Sequence, residues 1–448
     1  MLLLLAACTS HPLDASIAPS EHVAIAFRVS VDAPPGTATV WWSERGEDDV
    51  AGPPTSVDGP VELPLIGVPA GESVRWWVEV EDDDGVVWRS PQEALEVPAP
   101  PADLPGFSPD LDEPEATMGD AYVLLSRFDN PGASHVVIAD ARGRIVWWQP
   151  DDGLGRITRV RPLPDGTGVI FQQEGRLVEQ SFDGTTRRET AIEGGHHDLR
   201  PLGDGAALSL THVVVRGTIE GFGDTVYVDD RLSRVQLGSP DPREAELLFS
   251  YDDDYPIAPW APCPHVEDTE FVDDAHEWTH ANSLVPADDG GWWIMTRWLD
   301  ALVHVDADGV FVEQIGGRDG TWTVDPGATF QHAHMSWSDP GPTSTRMWVF
   351  DNGWDHSSRP VPTRLLELEL DPVRKHVTLL TEIVDPLGFG HTNFLGDVTP
   401  LPGTDHLLTS WAAKAAVLEL DADGTPLWGL QTSGAIARVH RLDTLYAP

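Results

Sequence analysis

His135 to Trp148 reads H-V-V-I-A-D-A-R-G-R-I-V-W-W, an apolar strand-like run, a D-x-x-G turn and a second run that carries tryptophan. The same order returns as L-V-H-V-D-A-D-G-V-F-V at 302–312 and V-L-E-L-D-A-D-G-T-P-L-W at 417–428, and R-P-L-P-D-G-T-G-V-I-F at 161–171 varies it. From about residue 119 the chain is a loose repeat of strand, D-x-x-G or P-x-x-G turn, and strand, with helical periodicity almost absent. Four-stranded units of about 40 to 50 residues predict a β-propeller, and residues 119–448 hold about six such blades. The last segment, Ile436 to Tyr446, is suited to close the ring against the first blade and remove an open edge. A two-sheet sandwich or a long β-solenoid is the alternative that so loose a spacing leaves open.

Ahead of the repeat the pattern differs. Residues 21–98 carry V-A-I-A-F-R-V-S-V, A-T-V-W-W-S, V-E-L-P-L and S-V-R-W-W-V-E-V, then Val86-Val87-Trp88 after the turn-forming Asp82 to Gly85. Short alternating strands at this spacing predict a small antiparallel sandwich similar to a fibronectin type III module, with nothing catalytic in it. Val97 to Pro105 contains four prolines, so residues 99–118 read as a stiff Pro-rich linker. Residues 1–20 read as a signal and tether.

The bulk composition limits the choices further. A chain of 448 residues exceeds one ordinary core, so two domains or one large repeat fold is expected. Its 18 tryptophans and 41% hydrophobic content suffice for a globular interior, while Gly 41 and Pro 39, scattered between apolar runs, fit short strands and tight turns. Lys+Arg 28 against Asp+Glu 73 gives a net charge of -45, which argues against nucleic acid as a partner because phosphates need a basic surface.

Chemistry concentrates in H-E-W-T-H-A-N-S-L, His276 to Leu284, followed by the strand-like G-W-W-I-M-T that ends at Arg297. Other histidines open similar runs: His197 in H-H-D-L, His332 and His334 in F-Q-H-A-H-M, and His391 in G-H-T-N. His276 to His280 matches the H-E-x-x-H zinc motif, but that motif works only on a helix. Here Asp273-Asp274 precede it, Asn282-Ser283 follow, and Pro286 leaves no room for one. Any one of these histidines, taken singly, fits a structural role. Together they fit a shared centre, because inner strands of a propeller line one channel and polar residues at successive strand starts converge there. A funnel of imidazoles with one guanidinium suits an anionic group.

These residues resemble the bacterial arylsulfotransferases that use no nucleotide sulfate donor. The resemblance rests on H-A-N-S-L at 280–284 with Arg297 after it, Q-H at 331–332, F-D-N-G at 350–353, T-R-L-L-E-L-E-L-D and the C-terminal R-V-H-R-L. These match in order over roughly residues 120–448. The resemblance implies a six-bladed propeller behind an N-terminal β-sandwich, and transfer of a sulfuryl group from an aryl sulfate ester to a phenol through a sulfated histidine. It makes His332 the nucleophile, gives His280, Asn282 and Arg297 the sulfuryl oxygens, and makes His197 a further active-site histidine, with His196 as the other candidate for that place. His334 and His391 are counted with the substrate-binding residues, and His334 is the rival nucleophile. The mechanism implies no metal or other cofactor. His334, His276 and the short span between Arg297 and His332 depart from the family pattern. A non-catalytic surface propeller that binds a ligand or protein is the competing reading, and the geometry of His280, Asn282, Arg297 and His332 discriminates the two.

Two cysteines remain. Leu5-Ala6-Ala7-Cys8 reads like the box at which a bacterial lipoprotein signal is cut and its cysteine acylated, although only seven residues, none basic, precede Cys8. A start further upstream or a chance match are the two explanations of that short lead. Cys263 is left without an intramolecular partner, so no disulfide is expected. A lipid anchor at the outer membrane or periplasm follows as an expectation, since a diacylated cysteine with a further acyl chain holds a membrane stably where one chain does not. Mass spectrometry of the protein from its native host should find a mature chain that begins at an acylated Cys8; an unmodified, uncleaved N-terminus would rule the anchor out.

Overall fold

The computed structural model describes residues 11–109, 115–129, 133–150, 157, 159–173, 175–220, 223–259, 275–341, 343–353 and 361–446. Cys8 and Cys263 lie outside them. The described chain is all-β, with one short α-helix, Glu115–Met118, and two 3-10 turns.

Six sheets form a β-propeller. The innermost strands, in chain order, are Arg159–Pro162, Gly195–Pro201, Ala281–Pro286, His334–Pro340, Asp397–Pro400 and Ala435–Leu442. The last belongs to the first blade. It pairs antiparallel with Tyr122–Phe128, Leu124 facing His440 and Leu125 facing Val439, so the two ends of the repeat are hydrogen-bonded into one sheet. The ring closes without leaving Tyr122–Phe128 as an open edge. Ser108–Pro109, from the Pro-rich stretch, pairs with Leu430 and Gln431 on the outside of the sixth blade.

The repeated D-x-x-G turn does the same work in three blades. Asp140, Asp306 and Asp421 each accept two backbone N–H groups at 2.7–3.0 Å, from the residues two and four positions on. Gly143, Gly309 and Gly424 take φ between 81 and 83°, a conformation that a side chain would strain. Each turn joins the third and fourth strands of its blade. Between successive blades lies an apolar cluster. Leu302 faces Leu366, Leu368 and Leu370 of the fifth blade, while Ala301 and Val303, one step along the same strand, face Leu208 and Leu232 of the third. Middle strands buried on both faces need apolar residues at every position, and that is why L-V-H-V and L-L-E-L-E-L read as nearly continuous.

The N-terminal segment forms eight strands in one hydrogen-bonded network. Phe27–Ser43 is its longest strand. The first half pairs with Ala15–Pro19, the second with Ser73–Asp82, and Thr55–Leu65 runs beside both across a register shift between Ala33 and Gly36. This unit packs directly on the first blade. Trp42 and Trp76 share a cluster with Val137 and Trp148, the Ala70 N–H donates to Ile145 O at 2.8 Å, and the Ile66 N–H donates to the Tyr446 hydroxyl at 3.3 Å.

Charged residues meet where the inner strands approach the axis. Asp198 Oδ1 accepts from Arg161 Nη2 at 2.8 Å and from Leu199 N at 2.9 Å. Its Oδ2 accepts from Arg438 Nη2 at 3.0 Å and from Leu284 N at 2.9 Å. Arg438 reaches onward to Asp397 Oδ1 at 3.0 Å and Met335 O at 2.8 Å. All six inner strands are thus tied through one buried carboxylate and one buried guanidinium. Burial would raise the Asp198 pKa, but the charges of Arg161, Arg438, Arg159 and Arg200 overcome it and hold the carboxyl well below the usual carboxylate range. A depressed folded-state pKa stabilises above the unfolded carboxyl pKa and loses that contribution only as pH falls through the lower folded value. Asp198→Asn should therefore cost about 3–5 kcal/mol, because it strands buried guanidiniums while keeping shape. Urea unfolding at neutral pH measures this, and an unchanged midpoint would show that the hub carries no stability.

Candidate active site

Three histidines stand at the heads of the inner strands of three successive blades. His197, His280 and His332 all have φ 51°. A non-glycine residue in this region costs about 1–3 kcal/mol and points to a local demand that the surroundings meet. A register shift lies at or just past each one, between Gly195 and Leu199, Ala281 and Ser283, and Met335 and Trp337. The rings converge. His197 and His280 have centroids 4.7 Å apart, His280 and Trp298 5.5 Å, and Trp298 and His332 4.9 Å, all steeply inclined.

Carboxylates of the preceding blade hold the turns at His280 and His332. Asp230 Oδ2 accepts from the Thr279 hydroxyl and from Ala281 N at 2.7 Å. Asp300, itself at φ 49°, accepts the His332 N–H at 2.8 Å. Asp230 Oδ1 also lies 3.3 Å from His196 Nε2, whose Nδ1 is 3.1 Å from His197 Nδ1. One nitrogen of that close pair must carry hydrogen and the other accept. Burial, then the neighbouring His280, His196, Arg159 and His334, pushes the His197 pKa well below its ordinary value.

His280 is oriented from below. Its Nδ1 bonds Glu277 Oε2, which also accepts Trp298 Nε1 at 3.3 Å. Donation of Nδ1–H to the carboxylate turns Nε2 to the opposite side of the ring as the working nitrogen. Burial acts to raise the Glu277 pKa, but the charge and hydrogen bond of His280 outweigh it, so the carboxyl sits below its ordinary value. His276–Glu277 is a short strand paired in parallel with Tyr227–Val228. The H-E-x-x-H segment is therefore no helix, and its glutamate serves the second histidine directly.

Arg297 follows from the same architecture. Its N–H donates to His280 O at 3.0 Å, its guanidinium lies 5.1 Å from the Trp298 ring centroid, and Nη2 donates to Asn393 O at 2.9 Å. Half-buried His391, two residues from Asn393, has its pKa lowered by burial first, with Lys414 and Arg297 among the contributing charges.

The other expected site residues take different places. Asn282 is wholly buried and bridges blades: Nδ2 donates to Ala333 O at 2.8 Å, while Oδ1 accepts from the Ser283 hydroxyl at 2.8 Å. It positions the His332 loop through Ala333. His334 is buried deeper, beside the axial arginines; burial, then Arg159, Arg438, Arg297 and His280, keeps its pKa well below the ordinary value. Cys8 lies outside the described residues. Three working groups went unrecognised in the sequence. Glu277 was visible only as part of a zinc-like motif, Trp298 as the residue after Arg297, and Asp230 had no local signal at all.

The arrangement offers neutral imidazoles, one carboxylate-backed imidazole and a guanidinium in a single cluster. Such a set can bind an anionic group, attack it and move a proton. Among solved structures the chain is similar to a protein of unknown function from Bacteroides caccae, at 13% identity and TM-score 0.45 over 72% of this chain and 99% of that one. It is also similar to virginiamycin B lyase from Staphylococcus aureus, at 10% identity and TM-score 0.34 over 82% and 94%. AztD from Citrobacter koseri matches at 10% identity and TM-score 0.33 over 91% and 98%. Likeness at this level says nothing of function. No curated protein matches the chain. Residues 243–433, which run from the outer strand of the third blade through the sixth and include His280, Arg297 and His332, match the arylsulfotransferase (ASST) family, and this match supports that family for the chain.

Proposed function

We propose that this protein transfers a sulfuryl group from an aryl sulfate ester to a phenolic acceptor through a sulfated His332. The observation that carries the reading is the convergence of His197, His280 and His332, each at φ 51° on its own blade, around Trp298 and Arg297. A neutral His332 imidazole attacks sulfur, the S–N bond forms as the aryl S–O bond breaks, and the phenolate leaves. Arg297 presents a planar fork to the sulfuryl oxygens, and fixed donors there stabilise charge moving toward the leaving group. His280, held as imidazolium by Glu277, protonates the departing phenolate. It then takes the proton of the acceptor phenol as that oxygen attacks the sulfated imidazole, which restores both histidines. We read the N-terminal strands as a fibronectin-like sandwich supporting the first blade, and a lipid on Cys8 as the means of holding the enzyme at an extracytoplasmic membrane surface.

With a chromogenic aryl sulfate, His332→Ala should abolish turnover while the circular dichroism spectrum stays that of the wild type. Arg297→Lys should lose about a hundred- to a thousandfold in rate. The trapped intermediate should carry its sulfuryl group on His332, and fragment masses separate that residue from His334. A label on His334 would move the nucleophile by two residues. If the wild type forms no adduct and neither it nor His332→Ala turns over any aryl sulfate tried, a binding propeller is the better description.

Glu277→Gln tests the proton path separately. Removing the carboxylate charge takes away what favours the imidazolium of His280, so His280 stays protonated only to a lower pH. The alkaline limb of kcat should therefore move toward acid, with KM little changed. An unshifted profile would assign Glu277 a packing role alone.

A further inference from the structure

The axial cluster carries more positive than negative charge. Arg159, Arg161 and Arg438 are buried there with the carboxylates Asp198 and Asp397. Asp198 already accepts four hydrogen bonds, from Arg161, Leu199, Arg438 and Leu284, and Asp397 takes those of Arg438 and Val439 N. Arg159 gets the least. Its Nη2 donates to Asn282 O at 3.1 Å, its Nε stands 3.8 Å from Asp198 Oδ1, and among the described residues neither Nε nor Nη1 has a hydrogen-bond acceptor. The side chain is fully buried. A guanidinium does not shed its proton to escape such a place, and an uncompensated buried charge is expensive.

His334 faces the same difficulty. It is 1% exposed, and among the described residues neither ring nitrogen has a partner. Arg159 leads the charges that hold the pKa of this imidazole down, ahead of Arg438, Arg297 and His280. The backbone agrees. Ala333 O is bound by Asn282, whose own carbonyl is bound by Arg159, and Met335 O is bound by Arg438. A neutral imidazole must present one N–H, so Arg159 Nε, Arg159 Nη1 and one His334 nitrogen are buried donors lacking acceptors.

We propose that a small inorganic monoanion of halide size is held between Arg159 and His334, inside the ring and behind the histidine cluster, as a structural counter-ion of the axial hub. Full burial restricts the occupant to a small ion. The inference does not depend on sulfuryl transfer and stands for a binding propeller equally well.

Crystals soaked in bromide should show an anomalous peak within hydrogen-bond reach of Arg159 and His334. In solution, Tm should be several degrees higher in potassium chloride than in potassium gluconate at equal ionic strength. Arg159→Met should lose both the peak and the salt difference; if that variant does not fold, His334→Phe makes the same comparison, and if neither folds the wild-type peak decides. Bromide found only beside Arg297 and His332 would place the ion in the substrate pocket and overturn the proposal, as would an absent peak or equal Tm in the two salts.

Discussion

The bond on which the ring depends is the one between Asp198 and Arg438, two fully buried groups 240 residues apart in sequence. A propeller has little to hold its inner strands at the axis, because hydrogen-bonding runs within each blade and apolar packing runs between blade faces. Here a carboxylate on the third blade meets a guanidinium on the closing strand, and their remaining donors and acceptors reach the second, fourth, fifth and sixth blades. A buried ion pair seldom gains on a well-packed apolar pair in net stability. Its value here is geometric: both ends of each group are committed, so the inner strands keep one register about the axis.

That register is what the histidine cluster needs. His197, His280 and His332 stand at equivalent strand heads, and the turns of His280 and His332 are held by carboxylates and an amide reaching over from a neighbouring blade. The strain of left-handed His280 and His332 is offset by these bonds, which form only once the blades are assembled. The cluster is therefore a product of the closed ring, and a slip of one blade would separate the rings that Trp298 now joins.

Much of the architecture was legible in the chain. The D-x-x-G turns at Asp140, Asp306 and Asp421 behave as local chemistry requires, with the carboxylate collecting N–H groups and the glycine taking positive φ. Ile436 to Tyr446 read as a closing segment, and Ala435–Leu442 is the closing strand. The site was legible as a set of histidines, one arginine and one asparagine. What each does was less so. Asn282 was expected beside the substrate, and the structure adds that its amide bonds Ala333 O and the Ser283 hydroxyl. Glu277 looked like a chance part of a metal motif, whereas it bonds the imidazole beside it.

Sequence alone therefore determined the all-β repeat, the turn positions and the identity of the histidine-bearing strand heads, because strand alternation and turn chemistry depend on residues a few positions apart. Only the tertiary structure decided which carboxylate serves which histidine. Asp230 meets Thr279 and Ala281 from about fifty positions away, and Asp198 meets Arg438 from across the ring. Such pairs are chosen by how the blades stack around the axis, and no local pattern in the chain encodes that distance.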